Sequence, residues 1–169
     1  MIKIALTGPE SSGKTTLCKS LSEHFKTPYI TEFSRTYLEN KNGYYNQDDI
    51  DRIAKGQLKL ISNEEEKKIM IYDSDFIVLQ IWSKYKFGNT TKLIDKLVKK
   101  NLFDLHILCK PDIPWEEDPL RENKYDRDYL FKLYKESLNR YKKHYITVSG
   151  LHQNRLEKSI DKINSLLIF

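Results

Sequence analysis

Lys14 and Thr15 close the run "GPESSGKT", residues 8–15, which fits the pattern G-x-x-x-x-G-K-[ST] at every position. Gly8 and Gly13 let the chain bend so that successive backbone N–H groups face inward as an anion nest. A helix starting near Gly13 adds the positive end of its dipole. Lys14 then sets a compact charge against the β and γ phosphates of a nucleoside triphosphate, and the Thr15 hydroxyl offers an oxygen to a bridging Mg²⁺. Glu10, Ser11, Ser12 and Thr16 complete the expected ATP contacts in this loop. The alternative is a glycine-rich turn with no ligand. An apolar stretch "IKIAL" before the loop and a helical pattern after it supply the strand–loop–helix setting that phosphate binding requires.

Other charged residues gain meaning from that loop. In an open parallel sheet, ligands bind beyond the carboxyl ends of the strands. Glu32 follows the second apolar run, in "YITEFSRTYL", with Arg35 three residues later. A carboxylate there can accept the proton of an attacking hydroxyl, and an arginine can neutralise a moving phosphoryl group. The bland reading is a first-turn helix glutamate and a surface arginine. Asp73 ends the third apolar run in "KKIMIYDSD", with Asp75 two residues on. Asp73 is the metal-side candidate beside Thr15 and Asp75 a candidate for a sugar hydroxyl, or the two roles are exchanged. Arg121 and Arg127 lie in an acidic, proline-bearing stretch where a mobile flap would exclude water and stabilise transferred charge. Local ion pairing in an exposed loop is the competing account. Tyr37, Trp82 and Trp115 are candidates for a slot that takes a flat ring, with cation–π attraction if the ring is charged, although each taken singly reads as packing. His24, His106, His144 and His152 have no metal-ligand spacing.

The elements that position these residues follow from periodicity. Strands are expected at about 2–7, 28–31, 69–73, 104–109 and 145–148, alternating with helical stretches, the pattern of a helix-covered parallel sheet. Leu17, Leu21 and Phe25 put an apolar stripe on the first helix. Asn46 is placed to cap a long helix, "QDDIDRIAKGQLKLISNEEEKK", and a further helix is expected from about Asp126 to Lys143, with Leu130, Leu133, Tyr134, Leu138 and Tyr141 on one face. Residues 110–128 have no clean period and read as a lid. The whole chain, 1–169, reads as one domain.

Composition narrows the function. With 29 Lys and Arg against 24 Asp and Glu the net charge is +5, yet the lysines interleave with acids, as in "SNEEEKK". That distribution describes a solvated surface and argues against a nucleic-acid partner. No apolar run approaches the ~18 residues of a membrane span, and the amino-terminal stretch is too short for a secretory signal. Cys18 and Cys109, far apart and inside a helix and a strand, are expected to be reduced core residues. A cytoplasmic protein without nucleic-acid or membrane partners is the expectation, with homo-oligomerisation left open.

The motifs "GPESSGKTTL", "EFSRTYL", "YDSD" and "CKPDIPWEEDPLREN" together resemble the nicotinamide riboside kinase domain of NadR-type proteins, a branch of the P-loop nucleoside kinases. The resemblance covers nearly the whole chain; the second and fourth motifs are the more particular to it. It implies a three-layer α/β P-loop NTPase fold with a five-stranded parallel sheet in the order 2-3-1-4-5, helices on both faces and the lid. It further implies ATP- and Mg²⁺-dependent phosphorylation of the 5′-hydroxyl of nicotinamide riboside, a step of NAD salvage. Glu32 would be the base or hydroxyl-orienting group, and "TVSGLHQNRL" would lie near adenine, with Val148, Ser149 and Gly150 as contacts. Ser74 stands where the family often carries threonine and retains the hydroxyl. The length leaves no room for the adenylyltransferase or DNA-binding domain of longer relatives, so neither activity is expected. Two other readings stand beside this one: a kinase for another nucleoside or deoxynucleoside, and a regulatory P-loop ATPase.

Overall fold

The computed structural model describes residues 1–62 and 67–168. In chain order they form β1 (Ile2–Thr7), α1 (Lys14–Phe25), β2 (Tyr29–Ile30), α2 (Phe33–Glu39), α3 (Gln47–Ser62) and β3 (Ile69–Tyr72). There follow α4 (Phe76–Phe87), α5 (Lys92–Lys99), β4 (Leu105–Cys109), α6 (Arg127–Arg140), β5 (Tyr145–Val148) and α7 (His152–Leu167). The five strands pair in parallel in the order β2-β3-β1-β4-β5, as the resemblance implies.

Alternation along the strands divides the core in two, because successive side chains point to opposite faces. Ile4, Leu6, Ile69, Ile71, Leu105, Ile107 and Cys109 pack with Leu17, Cys18 and Leu21 of α1 and Ile163 of α7. Ala5, Met70, Tyr72 and Leu108 face the larger cluster, built from α3, α4, α5 and α6. Being covered on both faces, the inner strands carry apolar residues at nearly every position. Both cysteines are free and buried. Among the described residues no helix is long and apolar enough to cross a membrane.

The expected strands are found, some shorter at their ends: 28–31 contracts to Tyr29–Ile30, and Asp73 lies just beyond β3. The α6 helix spans Arg127–Arg140, shorter than the expected 126–143. Lys142 adopts a left-handed φ of 50°, and Lys143 N–H closes on the Leu138 carbonyl, which turns the chain into β5. Asn46 caps α3 reciprocally: its Oδ1 accepts from Asp49 N–H at 3.1 Å, and Asp49 Oδ2 accepts from Asn46 N–H at 2.9 Å. The helix expected to reach residue 68 is described to Ser62; residues 63–66 lie outside the described residues, and 67 and 68, which lead into β3, are not helical.

Candidate active site

The shape of the phosphate loop is set by its own residues and by β4. Gly8 takes φ 133°, and a Cβ there would stand 2.6 Å from the Cys109 carbonyl oxygen, so only glycine lets the loop pass this close to β4. Gly13, at φ 81°, caps α1, whose first turn holds no acidic side chain. The Ser12 hydroxyl donates to Pro9 O at 2.7 Å, and Lys14 Nζ donates to Gly8 O at 2.9 Å and Pro9 O at 2.8 Å. The ammonium is thus folded back onto its own loop.

That loop forms one end of a cavity of about 650 Å³. Glu32 and Arg35 reach it from the start of α2, and Asp73 from the end of β3. Their placement has a local cause. Phe33 N–H donates to the buried Gln57 side chain at 2.8 Å, and Gly56 of α3 leaves room for the Phe33 ring, which a Cβ at position 56 would meet at 2.2 Å. So α2 is pinned at its first residue, and Glu32, its N-cap, makes no side-chain capping bond. Its carboxylate is left facing the cavity.

Asp73 is only 4% exposed, and its Oδ1 has no hydrogen-bond partner. Burial pushes its carboxyl up to about 6; Glu32 adds to the rise, while the Thr15 hydroxyl and Lys14 oppose it. An orphaned buried carboxylate oxygen beside a threonine hydroxyl is a donor set that fits a hydrated divalent cation held mainly by phosphates.

Part of the cavity wall is aromatic. Trp82 of α4 stands edge-on to Tyr45, ring centroids 4.9 Å apart, and donates from Nε1 to the Tyr45 hydroxyl at 2.9 Å. Tyr45 donates in turn to Glu122 at 2.7 Å, and Lys86 meets the other oxygen of that carboxylate at 2.9 Å. Residues 110–126, between β4 and α6, form the roof. Arg35 donates to Asp118 of the roof at 2.8 Å, and Arg121 faces the cavity while donating to Glu116 O at 2.6 Å.

The expected site residues divide. Gly8, Glu10, Ser11, Ser12, Gly13, Lys14, Thr15, Thr16, Glu32, Arg35, Asp73, Trp82 and Arg121 line the cavity together. Tyr37, Asp75, Trp115, Arg127 and Ser149 do not. Tyr37 donates to the buried Asp49 at 2.7 Å, joining Lys41 and Arg52 around that carboxylate between α2 and α3. Asp75 caps α4, accepting from Val78 N–H at 3.0 Å and from the Thr7 hydroxyl at 3.1 Å, and is sealed under the sheet end. Trp115 lies between the guanidinium carbons of Arg121 and Arg127, 6.0 and 5.7 Å from its ring centre, and so packs the roof rather than walling the slot. Arg127 donates to Ser11 O and Ile113 O at 3.0 Å each, and Ser149 is exposed beyond β5.

Tyr45, Lys86 and Glu122 were not singled out from sequence, since neither spacing nor motif marks them. Nor was Arg155, which is 3% exposed and donates to Ser12 O at 2.8 Å across 143 positions of sequence.

A family model described as AAA domain matches residues 3–155. The trifunctional NAD biosynthesis/regulator protein NadR of Escherichia coli K12 is 32% identical over 124 residues, covering 70% of this chain and 30% of that protein. The protein of the same name from Salmonella typhimurium LT2 gives the same figures. The chain therefore spans about a third of the length of these curated relatives. Among solved structures, NadR in complex with NR superposes with a TM-score of 0.75 at 21% identity, covering 97% of this chain and 51% of that one. NadR with NAD and AMP-PNP gives 0.76 at 19% identity, over 99% and 50%. Deoxyadenosine kinase from M. mycoides with bound dCTP gives 0.65 at 17% identity, over 97% and 100%. With the match running through the phosphate loop, the sheet and the roof segment to Arg155, the chain belongs to the AAA domain family.

Proposed function

We propose that the protein is an ATP-dependent nucleoside kinase whose acceptor is nicotinamide riboside. The observation that carries this reading is one cavity lined together by the phosphate loop, Glu32, Asp73 and the Trp82–Tyr45 pair. The loop suits a triphosphate and the aromatic pair a flat ring, and Glu32 stands close enough to Asp73 to raise its carboxyl, on the side where an acceptor hydroxyl would meet the phosphates. Likeness to a NadR structure solved with NR and to another solved with NAD and AMP-PNP supports the same reading.

In this reading Lys14 leaves its carbonyl partners for the phosphates, and Thr15 and Asp73 would hold Mg²⁺. The cation would neutralise charge on the β and γ phosphates. Glu32 orients the 5′-hydroxyl and takes its proton as the oxygen attacks the γ phosphorus; the bond to the ADP oxygen breaks. Arg121, on the roof, meets the charge that moves. Trp82 would offer a π face to the cationic pyridinium ring, the Tyr45 ring already lying under the Lys86 ammonium at 5.4 Å.

The test is a panel of acceptors at equal concentration with ADP release as readout, run on the parent and on Glu32→Gln. Release that depends on nicotinamide riboside, lowered about a hundredfold or more in Glu32→Gln with ATP affinity retained, is the expected outcome. Thymidine or cytidine turned over while nicotinamide riboside is not would overturn the acceptor. Steady hydrolysis indifferent to every nucleoside would overturn the kinase and favour a P-loop ATPase.

A further inference from the structure

In a trans peptide the carbonyl of one residue and the N–H of the next point in opposite directions. Whatever holds a carbonyl on the outside of a loop therefore aims the following amide inward. Three consecutive carbonyls of the phosphate loop are held this way. Ser11 O accepts from Arg127 Nη1 at 3.0 Å, Ser12 O from Arg155 Nη1 at 2.8 Å, and Gly13 O from Leu17 N–H at 3.0 Å. The amides so aimed belong to Ser12, Gly13 and Lys14, and among the described residues none of the three has a protein acceptor. Left-handed backbone at Ser11, φ 51°, and Gly13, φ 81°, curls them into a nest.

The two guanidiniums are themselves fixed. Arg155 reaches the loop from α7, with Nε on Gly150 O at 2.8 Å, Nη2 on Lys110 O at 3.1 Å, and the Asp112 carboxylate balancing its buried charge. Arg127, at the first turn of α6, also holds Ile113 O and lies against the Trp115 ring. A planar fork can span several carbonyls from a fixed plane; an ammonium cannot.

We propose that Arg127 and Arg155 are positioning residues for the triphosphate: from outside the cavity they grip Ser11 O and Ser12 O and so aim the Ser12 and Gly13 amides at the phosphates. This rests on the ATP-binding part of the kinase reading but not on the identity of the acceptor. Arg127 is then no transition-state group of the lid; it acts on the ground-state shape of the loop.

Calorimetry with AMP-PNP and Mg²⁺, and separately with AMP, tests this on Arg127→Met, Arg127→Lys and the pair Arg155→Met/Asp112→Asn, which removes the carboxylate left unbalanced. Expected is a loss of about tenfold or more in AMP-PNP affinity for the methionine variants, with AMP affinity within about twofold of the parent and Arg127→Lys intermediate. Unchanged AMP-PNP affinity with lost turnover would overturn the proposal in favour of a transition-state role. Equal losses for both nucleotides would overturn it in favour of a merely structural one. A parent chain binding neither nucleotide would overturn the kinase reading, and this inference with it.

Discussion

Asp73 has a free oxygen, almost no solvent and a carboxyl held near 6 by burial, so ionising it in the folded chain costs more than in the unfolded one. The sign follows. Between the ordinary aspartate value and about 6 the folded chain binds more protons than the unfolded, so stability falls as pH rises through that window and stays lowered above it. Replacing Asp73 by Asn removes this penalty. Denaturant melts should show Asp73→Asn more stable than the parent at pH 7, by on the order of 2 kcal/mol, with little difference near pH 4. In the proposed kinase the same variant should lose turnover, because Mg²⁺ would lose a charged partner. A stability gain equal at both pH values would show that the carboxylate is not strained by burial.

At the scale of elements, Asp75 shows how a short acidic motif splits into unlike roles. "YDSD" puts two carboxylates just past β3, and the chain between them decides their fates: Asp73 stays on the strand's axis toward the cavity, while Asp75 becomes the N-cap of α4. Asp75→Ala leaves Val78 N–H and the Thr7 hydroxyl without their acceptor, and should cost about 2–3 kcal/mol of stability with turnover per folded molecule unchanged. Asp75→Asn keeps an oxygen acceptor and should cost much less. A turnover loss in Asp75→Asn without a stability loss would return this residue to the substrate. The strands, α1, the α3 cap and the phosphate loop were legible in the sequence because each leaves a local pattern: an apolar run, a four-residue stripe, a capping asparagine, a motif of fixed spacing. The α4 helix was not, since Phe76, Ile77, Val78, Leu79, Gln80 and Ile81 are all buried and leave no polar face to set a 3.6-residue period. Tyr37 and Trp115 misled for a related reason: an aromatic near a motif carries no mark of the side it faces. Arg155 and Glu122 act on the loop and the slot from far along the chain, and only the folded molecule brings them there.

Across the whole molecule, the roof is tied down from several sides without ligand. Ser11 Oγ accepts from Glu116 N–H at 2.9 Å, Arg35 pairs with Asp118, and Glu122 is held by Tyr45 and Lys86. Glu10 makes a second tie from the phosphate loop, beside that of Ser11. One carboxylate oxygen accepts from the backbone N–H groups of Glu122 at 3.0 Å and Asn123 at 2.9 Å, and from the Asn123 side chain at 3.5 Å. Burial pushes the Glu10 carboxyl up, and those amides pull it back toward the ionised form that holds them. An acid in a phosphate-binding loop works against the incoming anion, so its presence needs a return. In the proposed kinase that return would be a roof kept shut over the site, where water would otherwise hydrolyse ATP. Glu10→Ala should therefore loosen the roof alone: hydrogen exchange at the Glu122 and Asn123 amides should quicken by about tenfold or more, with core amides of β1 and β4 unchanged. Acceptor-free hydrolysis of ATP should rise in the same variant, because water gains entry. If exchange at both amides matched the parent, the remaining ties would be holding the roof by themselves, and the carboxylate at position 10 would have to be explained by contact with the nucleotide.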